Sequence, residues 1–319
     1  MQDSIKLKIF DEDLIIYGKS LLSALLKDRT TGKNIIWATN DYIKLGEIYK
    51  AENEIDLSIL NGNNEKFIRP RITKSYEKQN NRTRDKAEVF TPSWVCNQQN
   101  NLIDEQWFGR KDVFNTSSDK TWTPHKGKIV FSNIKNKTWK DYIDARRIEI
   151  TCGEAPYLVS RYDTVSGKQI ALKDRIGFLD RKMRIVSENT TTEDEWFKWT
   201  KRAFQSVYGY EFQGDNLLLA RENLLHTFVD NVKDKFKRDP TLDELKKIAL
   251  IISWNIWQMD GLTFRIPLSD LKEDCLQLDL FETVEKHNKK QEIKYCKIKN
   301  WRSNIILEYR TLLRERKNG

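Results

Sequence analysis

The chain has 319 residues, 39% of them hydrophobic and 11% aromatic, so it can bury a substantial core and is no disordered polymer despite 32% charged residues. Its net charge of +9 suits a polyanionic partner such as DNA, whose condensed counterions are released on binding; a solvated lysine-rich surface is the plain alternative. No apolar run approaches the ~20 residues that span a bilayer and no secretory leader opens the chain, so a cytoplasmic protein without a membrane partner is expected.

Residues 1–60 mix short apolar runs (IKLKIF, LIIYG, NIIWAT) with an amphipathic stretch, DYIKLGEIYKAENEIDLSIL, and read as a small α/β or helical lobe. The polar stretch 61–88 is a linker or a DNA-facing arm, with eight Lys/Arg against three acids over 65–86. In VFTPSWVCNQQNNLIDEQWFG, Thr-Pro breaks the backbone, and Trp94, Val95, Leu102 and Ile103 predict a helix after it. TWKDYIDARRIEITCGEAPYLVSRYD predicts helix, strand 148–151, a turn at Gly153 and a second helix carrying Arg161, Tyr162 and Asp163. EDEWFKWTKRAFQSVYGYEFQGDNLLLARENLLHTFVDNV predicts helix, strand 206–211, a turn at Gly214 and a helix. Such strand–turn–helix alternation argues for a parallel sheet covered on both faces.

From Asp239-Pro240, the positions Leu242, Leu245, Ile248, Ile252, Ile256 and Met259 predict one long buried helix ending at Gly261. The last 45 residues hold a second apolar set (CLQLDLF, YCKIKNW, IILEYRTLL), and 283–319 carry eleven Lys/Arg against four acids. These shifts divide the chain into 1–86, an N-terminal lobe and basic arm; 87–268, an α/β domain; and 269–319, a basic C-terminal extension. The four cysteines form no CxxC pair and the three histidines no HxxxH or Cys/His cluster. Free thiols and no structural zinc are expected.

Ligands of α/β sheets bind at the carboxyl ends of the strands. Three segments are candidates to meet there: Phe90-Thr91-Pro92; Glu149 to Ala155, where a strand-borne acid precedes the turn at Gly153; and Val207 to Glu211, a strand ending in a carboxylate. A nucleoside cofactor needs a small residue where backbone closes on it, a carboxylate that accepts from both ribose hydroxyls, and an apolar wall for the base. Each segment alone is equally an ordinary turn or a solvated strand-end acid. Order and spacing join them.

In that order, AEVFTPSWVCN resembles the G-x-F-[YF]-T-P motif of the N6-adenine DNA methyltransferases of restriction–modification systems. EITCGEAPYL is similar to their D-P-A-C-G-S-G-x-F-L, and VYGYEFQGDNLLLARENLL to their [IV]-x-G-x-E-[IL] strand followed by A-[RK]-x-N-L. The chain looks in particular like short bacterial proteins described as restriction endonuclease subunit M, the motifs covering roughly residues 87–230. The resemblance implies a class I methyltransferase-like (Rossmann-like) α/β sheet with a small N-terminal lobe and a basic C-terminal extension. It implies S-adenosyl-L-methionine as cofactor, walled by Phe90, Thr91 and Pro92, looped by Glu149, Cys152, Gly153 and Ala155, and held at the ribose by Glu211. It also implies DNA and restriction or specificity subunits as partners.

The chain departs from the family in its loop. The second glycine is Ala155, the serine is Glu154, and Pro156 follows. More consequentially, the family grips the extruded adenine with [DNS]-P-P-[YFW], and here no two of the six prolines are adjacent. The nearest substitute is Glu154-Ala155-Pro156-Tyr157, which makes Glu154 and Tyr157 the candidate base-gripping residues if the loop is not the cofactor's.

Two alternatives stand beside the methyltransferase: a catalytically inactive DNA-binding or regulatory subunit of the same fold, and a magnesium-dependent nuclease built on Asp279, Glu292 and Lys294. Asp260 in NIWQMDG also resembles a ribose-binding N-[IL]-x-G-x-D segment, against the helical periodicity there.

Overall fold

A computed structural model of the chain describes residues 19–60, 68–74, 82, 84, 90–131, 137–269 and 294–314. In chain order the elements are α1 (Lys19–Leu26), α2 (Leu57–Leu60), α3 (Ser93–Phe108), β1 (Asn115–Ser118), β2 (Thr121–Pro124), α4 (Trp139–Asp144), β3 (Arg147–Glu149), α5 (Phe178–Asn189), α6 (Glu193–Gln205), β4 (Val207–Glu211), α7 (Gly214–Phe236), α8 (Leu242–Asn255), β5 (Ile256–Gln258), β6 (Lys297–Asn300), β7 (Ile305–Glu308) and α9 (Thr311–Arg314). The protein is mixed α/β.

Strands β3, β4 and β5 form a three-stranded parallel sheet in that order. Glu149 stands opposite Gly209, and Glu211 opposite Gln258. Because side chains alternate along a strand, Val207 and Ile256 face one side, where they join α5, α6, α7 and α8 in the main core around Phe204, Leu217, Phe228 and Ile252. Tyr208, Tyr210 and Trp257 face the other, where the β6–β7 hairpin brings Ile298, Leu307 and Tyr309 against them. A cavity of about 500 Å³ lies between hairpin and sheet. The covering of both faces is as expected, with helices on one and a hairpin on the other.

Short polar side chains start the helices. Thr192 accepts from the Glu195 N–H to open α6, and Thr241 with Glu244 forms a reciprocal capping box on α8. Helix α8 stops at Asn255, whose side-chain amide donates to the carbonyls of Phe204 and Val207 (3.0 and 2.9 Å). The expected helix to Gly261 is therefore wrong over its last third. Ile256 and Met259 continue a period that fits a helix, but Ile256–Gln258 pairs with β4 as a strand. Asp260 lies in the turn that follows and accepts from the Leu262 N–H at 2.8 Å.

Helix α3 also departs from expectation. Leu102 and Ile103 are exposed, and the inward stripe is Cys96, Asn97, Asn100, Asp104 and Phe108. That polar stripe is matched by Arg181 of α5, which reaches Asp104 at 2.6 Å and Asn97 at 2.9 Å, while the Tyr142 hydroxyl donates to Asp104 at 2.9 Å. Arg221 of α7 is buried likewise and donates to the Ile256 carbonyl at 2.7 Å and to that of Leu25, tying α1 to the sheet. Burial pulls its pKa down to about 9.

The N-terminal lobe crosses the sheet at its carboxyl end. Gln258 exchanges two 2.9 Å hydrogen bonds with the backbone of Ile36, and the Gly214 N–H donates to the Trp37 carbonyl at 2.9 Å. A Cβ on Gly214 would lie 2.0 Å from the Ile36 carbonyl oxygen, so only glycine lets the strap and α7 meet. The amphipathic stretch 41–60 forms two 3-10 turns and the short α2. Gly214→Ala is accordingly expected to destabilise the protein by about 2 kcal/mol or more, overpacking against backbone costing about 1–3, as read by urea unfolding.

Candidate cofactor site at the strand tips

Parallel pairing brings the ends of β3 and β4 side by side, and the loop after β3 folds over the end of β4. The Cys152 N–H donates to the Tyr210 carbonyl at 2.8 Å. Its sulfur lies over Gly209, where a Cβ would stand 3.2 Å from it. This is the reason for glycine in the middle of VYGYE. Glu211 then accepts from the Gly153 N–H (2.8 Å) on one carboxylate oxygen and from the Gln213 N–H (3.1 Å) on the other. One carboxylate thus joins the loop after β3 to the residue that opens α7.

The backbone turns sharply here. Thr151, Gly153 and Ala155 have φ of 45°, 53° and 64°, the left-handed region that costs a side-chain-bearing residue about 1–2 kcal/mol. Ala155, where the motif it resembles carries a second glycine, thus adopts a glycine's conformation, fully buried. No helix follows at once, contrary to expectation. Residues 152–163 are a chain of turns, Tyr162 bridges Gln169, and after a 3-10 turn at Leu172–Asp174 the next α-helix is α5.

Those turns fasten the FTP segment. The Ser93 N–H, first in α3 after Pro92, donates to the Asp163 carboxylate at 2.7 Å. Burial opposes the charge on Asp163, but this amide and that of Ser166 hold its pKa below the ordinary range. The Thr91 carbonyl accepts from the Thr164 hydroxyl at 3.1 Å, and Asn100 of α3 donates to the Tyr157 carbonyl at 3.1 Å. Phe90 is thereby set against the loop, its ring edge 3.5 Å from where a Gly153 Cβ would stand.

The candidates thus sort into those at the strand tips, where Phe90 and Glu211 are themselves buried, and those below the loop. Phe90, Gly153 and Glu211 converge. Glu149 is buried below the loop and accepts from the Tyr157 and Leu158 N–H groups at 3.3 and 3.2 Å, with burial pushing its pKa well up against those two amides. Glu154 is buried too, accepting from the Arg71 N–H at 2.7 Å and the Tyr162 hydroxyl at 2.5 Å. Tyr157 donates its hydroxyl to Gln99 at 2.5 Å. Gripping a base with Glu154 and Tyr157 would require breaking these bonds. Asp279 and Glu292 lie outside the described residues, and among the described residues no three acids, histidines or cysteines group to hold a metal ion.

Sequence reasoning missed the inward role of the basic arm. Arg82 donates to Asp215 (2.7 Å), Gln213 (2.5 Å) and Asp41 (2.9 Å), Lys74 lies 3.1 Å from Asp215, and Tyr42 donates to Asp215 at 2.8 Å. Burial alone would raise the Asp215 carboxyl; Arg82 and Lys74 hold it far below the usual carboxylate range. Glu222 was missed as well. It is fully buried on α7, and neither carboxylate oxygen has a hydrogen-bond partner. Burial pushes its pKa well up, against the attraction of Arg161.

Because the folded pKa of Glu222 exceeds its unfolded value of about 4.3, its contribution to stability is fully present below about pH 4 and is lost as pH rises through the folded value. Glu222→Gln, which cannot ionise, is expected to gain on wild type as pH rises above about 4.5, at up to about 1.4 kcal/mol per pH unit, until the folded carboxyl ionises. Urea unfolding at a series of pH values measures the gain, and a pH-independent difference would contradict it.

No protein-family model matches the chain, and neither a curated protein nor a solved structure matches it, so its function is read from these residues and their geometry.

Proposed function

We propose that the chain is an S-adenosylmethionine-binding, methyltransferase-type subunit directed at the adenine amine of DNA, in a restriction–modification or phage-defence system. The observation that carries this reading is the convergence of Phe90, Gly153 and Glu211 at the carboxyl ends of parallel strands, where α/β sheets take ligands. The residues fit such a cofactor. Glu211 is a carboxylate at the strand tip, the type of group that ribose hydroxyls donate to, Gly153 has no side chain to hold backbone away, and Phe90 with Pro92 offers an apolar wall. The sheet would then be the cofactor-binding part of a class I methyltransferase-like fold.

When bound, the cofactor supplies a methyl group on a positively charged sulfur that needs little activation. The chain's own contribution is orientation, which can supply several kcal/mol of a transfer barrier. The strap of residues 35–38, the clamp of Asp163 on α3 and the pairing of Glu211 with Gly153 keep the three contact residues in place. DNA and restriction or specificity subunits are the partners this reading implies, and the +9 net charge favours the first. No helix among the described residues is long and apolar enough to cross a membrane.

One observation favours a second reading, a subunit that binds the cofactor without turning it over. Paired prolines are absent from the sequence, and the side chains of Glu154 and Tyr157 are committed within the protein. Calorimetry with S-adenosylmethionine and tritiated methyl transfer to DNA separate the readings. Glu211→Ala should weaken cofactor binding at least about tenfold, as expected for hydrogen bonds to a charged group worth about 1.5–3 kcal/mol each. Wild type that does not bind the cofactor would overturn both readings; binding without transfer would select the second.

A further inference from the structure

Side-chain alternation puts Ile148, Tyr208 and Trp257 on the sheet face that the β6–β7 hairpin covers. The cavity of about 500 Å³ between hairpin and sheet is walled by the rings of Tyr208, Trp257 and Tyr309, and Arg146, Lys299 and Asn300 also line it. Its volume falls in the range of about 300–1,000 Å³ that ligand pockets occupy. A smaller cleft adjoins it, sharing Arg146, Tyr208 and Asn300 and adding Arg202, Trp301 and Arg302. Arg147 and Tyr208 lie at the amino-terminal ends of β3 and β4, away from the carboxyl tips where Gly153 meets Glu211.

The polar groups of this site are nearly all donors. Among the described residues, the side chains of Arg146 and Lys299 form no ion pair, and the Tyr208 hydroxyl and the Asn300 side-chain amide meet no acceptor. Lys299 stands over the Trp301 ring, 4.6 Å from its centroid. Asp144 is the one acid among the described residues lining either space, and it is already paired with both Arg202 and Arg302. Tyr208 is half-buried and stacks on no other ring among the described residues. Positive charge in excess beside an unstacked aromatic suits a flat ring that carries a phosphate.

We propose that this cavity takes a base of single-stranded DNA. The base stacks on Tyr208, its phosphates meet Arg146 and Lys299, and the strand continues along the cleft of Arg202 and Arg302. A single strand needs an aromatic face and a cationic track, since every base has a π face and every linkage a charge. The inference rests on the function proposed above only for the choice of DNA as the polymer.

The test is fluorescence anisotropy on the full chain with a labelled oligothymidylate of about 12 nucleotides, within the span of a single-strand site, and an abasic strand of the same length. Wild type should bind the oligothymidylate at least about fivefold more tightly than the abasic strand. Tyr208→Leu, which still fills the space, should weaken the oligothymidylate about 5-fold to 100-fold and the abasic strand less than about twofold. Tyr208→Phe, which keeps the ring, should stay within about twofold of wild type for both. Arg146→Gln combined with Lys299→Gln should flatten the dependence of log affinity on log salt by about 1.4, or ~0.7 for each lost phosphate contact. Equal binding of the two strands, or a Tyr208→Leu variant indistinguishable from wild type, would overturn the proposal. So would thymidine monophosphate competing as well as the strand, which would make the cavity a site for free nucleotides. Calorimetry with S-adenosylmethionine on the same preparations keeps the two readings apart. Cofactor binding without strand binding sinks this proposal alone; strand binding through Tyr208 without cofactor binding sinks the cofactor reading and leaves this one standing.

Discussion

The structure around the strand tips depends on one buried carboxylate. Glu211 accepts from the amides of Gly153 and Gln213, so a single side chain joins the loop after β3 to the start of α7. Hydrogen bonds to a charged acceptor are each worth about 1.5–3 kcal/mol, and an unsatisfied buried carboxylate costs more than either. Everything nearby is consistent with keeping it in place. Gly209 admits Cys152 and lets the loop fold inward. The Glu211 carbonyl takes the Met259 N–H, which holds β5 in register. Gln258, opposite Glu211, clasps Ile36 and brings the N-terminal strap across.

The same economy governs the cations. A balance of +9 suggests a basic exterior, yet Arg181, Lys182 and Arg221 are buried in the core, and Arg82 is buried against Asp215. Lys182 donates to the Ile143 and Ala145 carbonyls and to the Ser206 hydroxyl, with burial pushing its pKa far down. Cations so placed act as cross-links between backbone carbonyls and helices. Replacing a buried pair by apolar residues can be neutral, while removing one partner is costly. Such groups therefore fix geometry more than they add stability. Among the described residues the buried acids (Asp28, Asp104, Glu149, Glu154, Asp180, Glu211, Asp215 and Glu222) outnumber the buried cations (Arg82, Arg181, Lys182 and Arg221), so burial does not cancel the positive balance of the chain.

These inward cations mark where the sequence is hard to read. Periodicity located β3 and β4 to within two residues and recognised α6 and α7 as the helices on either side of β4, because each buries an apolar face of regular spacing. It misjudged α3, whose buried face is cysteine, asparagine and aspartate; a polar stripe satisfied by Arg181 has no hydrophobic signal. It extended α8 through Ile256 and Met259, since a short buried strand after a helix keeps the same apolar letters while Asn255 ends the helix with side-chain bonds to distant carbonyls. It placed a helix after Gly153, where alternating positive φ at Thr151 and Ala155 forbids one. Within the candidate site, Phe90, Gly153 and Glu211 were legible because each sits at a strand or helix boundary. The roles of Asp163 and Arg71 were not, because their partners lie 70 and 83 residues away.

The strained loop also bears on what the site can do. Thr151 and Ala155 hold left-handed backbone against their own side chains, and such strain persists only where the surroundings over-determine it. Here the determinants are Glu149 below, Glu154 bridging Arg71 to Tyr162, and Asn223 on the Glu154 carbonyl. A loop fixed from three sides is well suited to holding a ligand whose shape it already matches, since little ordering remains to oppose binding. It is poorly suited to opening around an extruded base. Rigidity and the commitment of Glu154 therefore favour the same side of the proposed function: under it the loop would hold the cofactor, and any grip on a base would come from outside this loop, on another part of the chain or on a partner subunit.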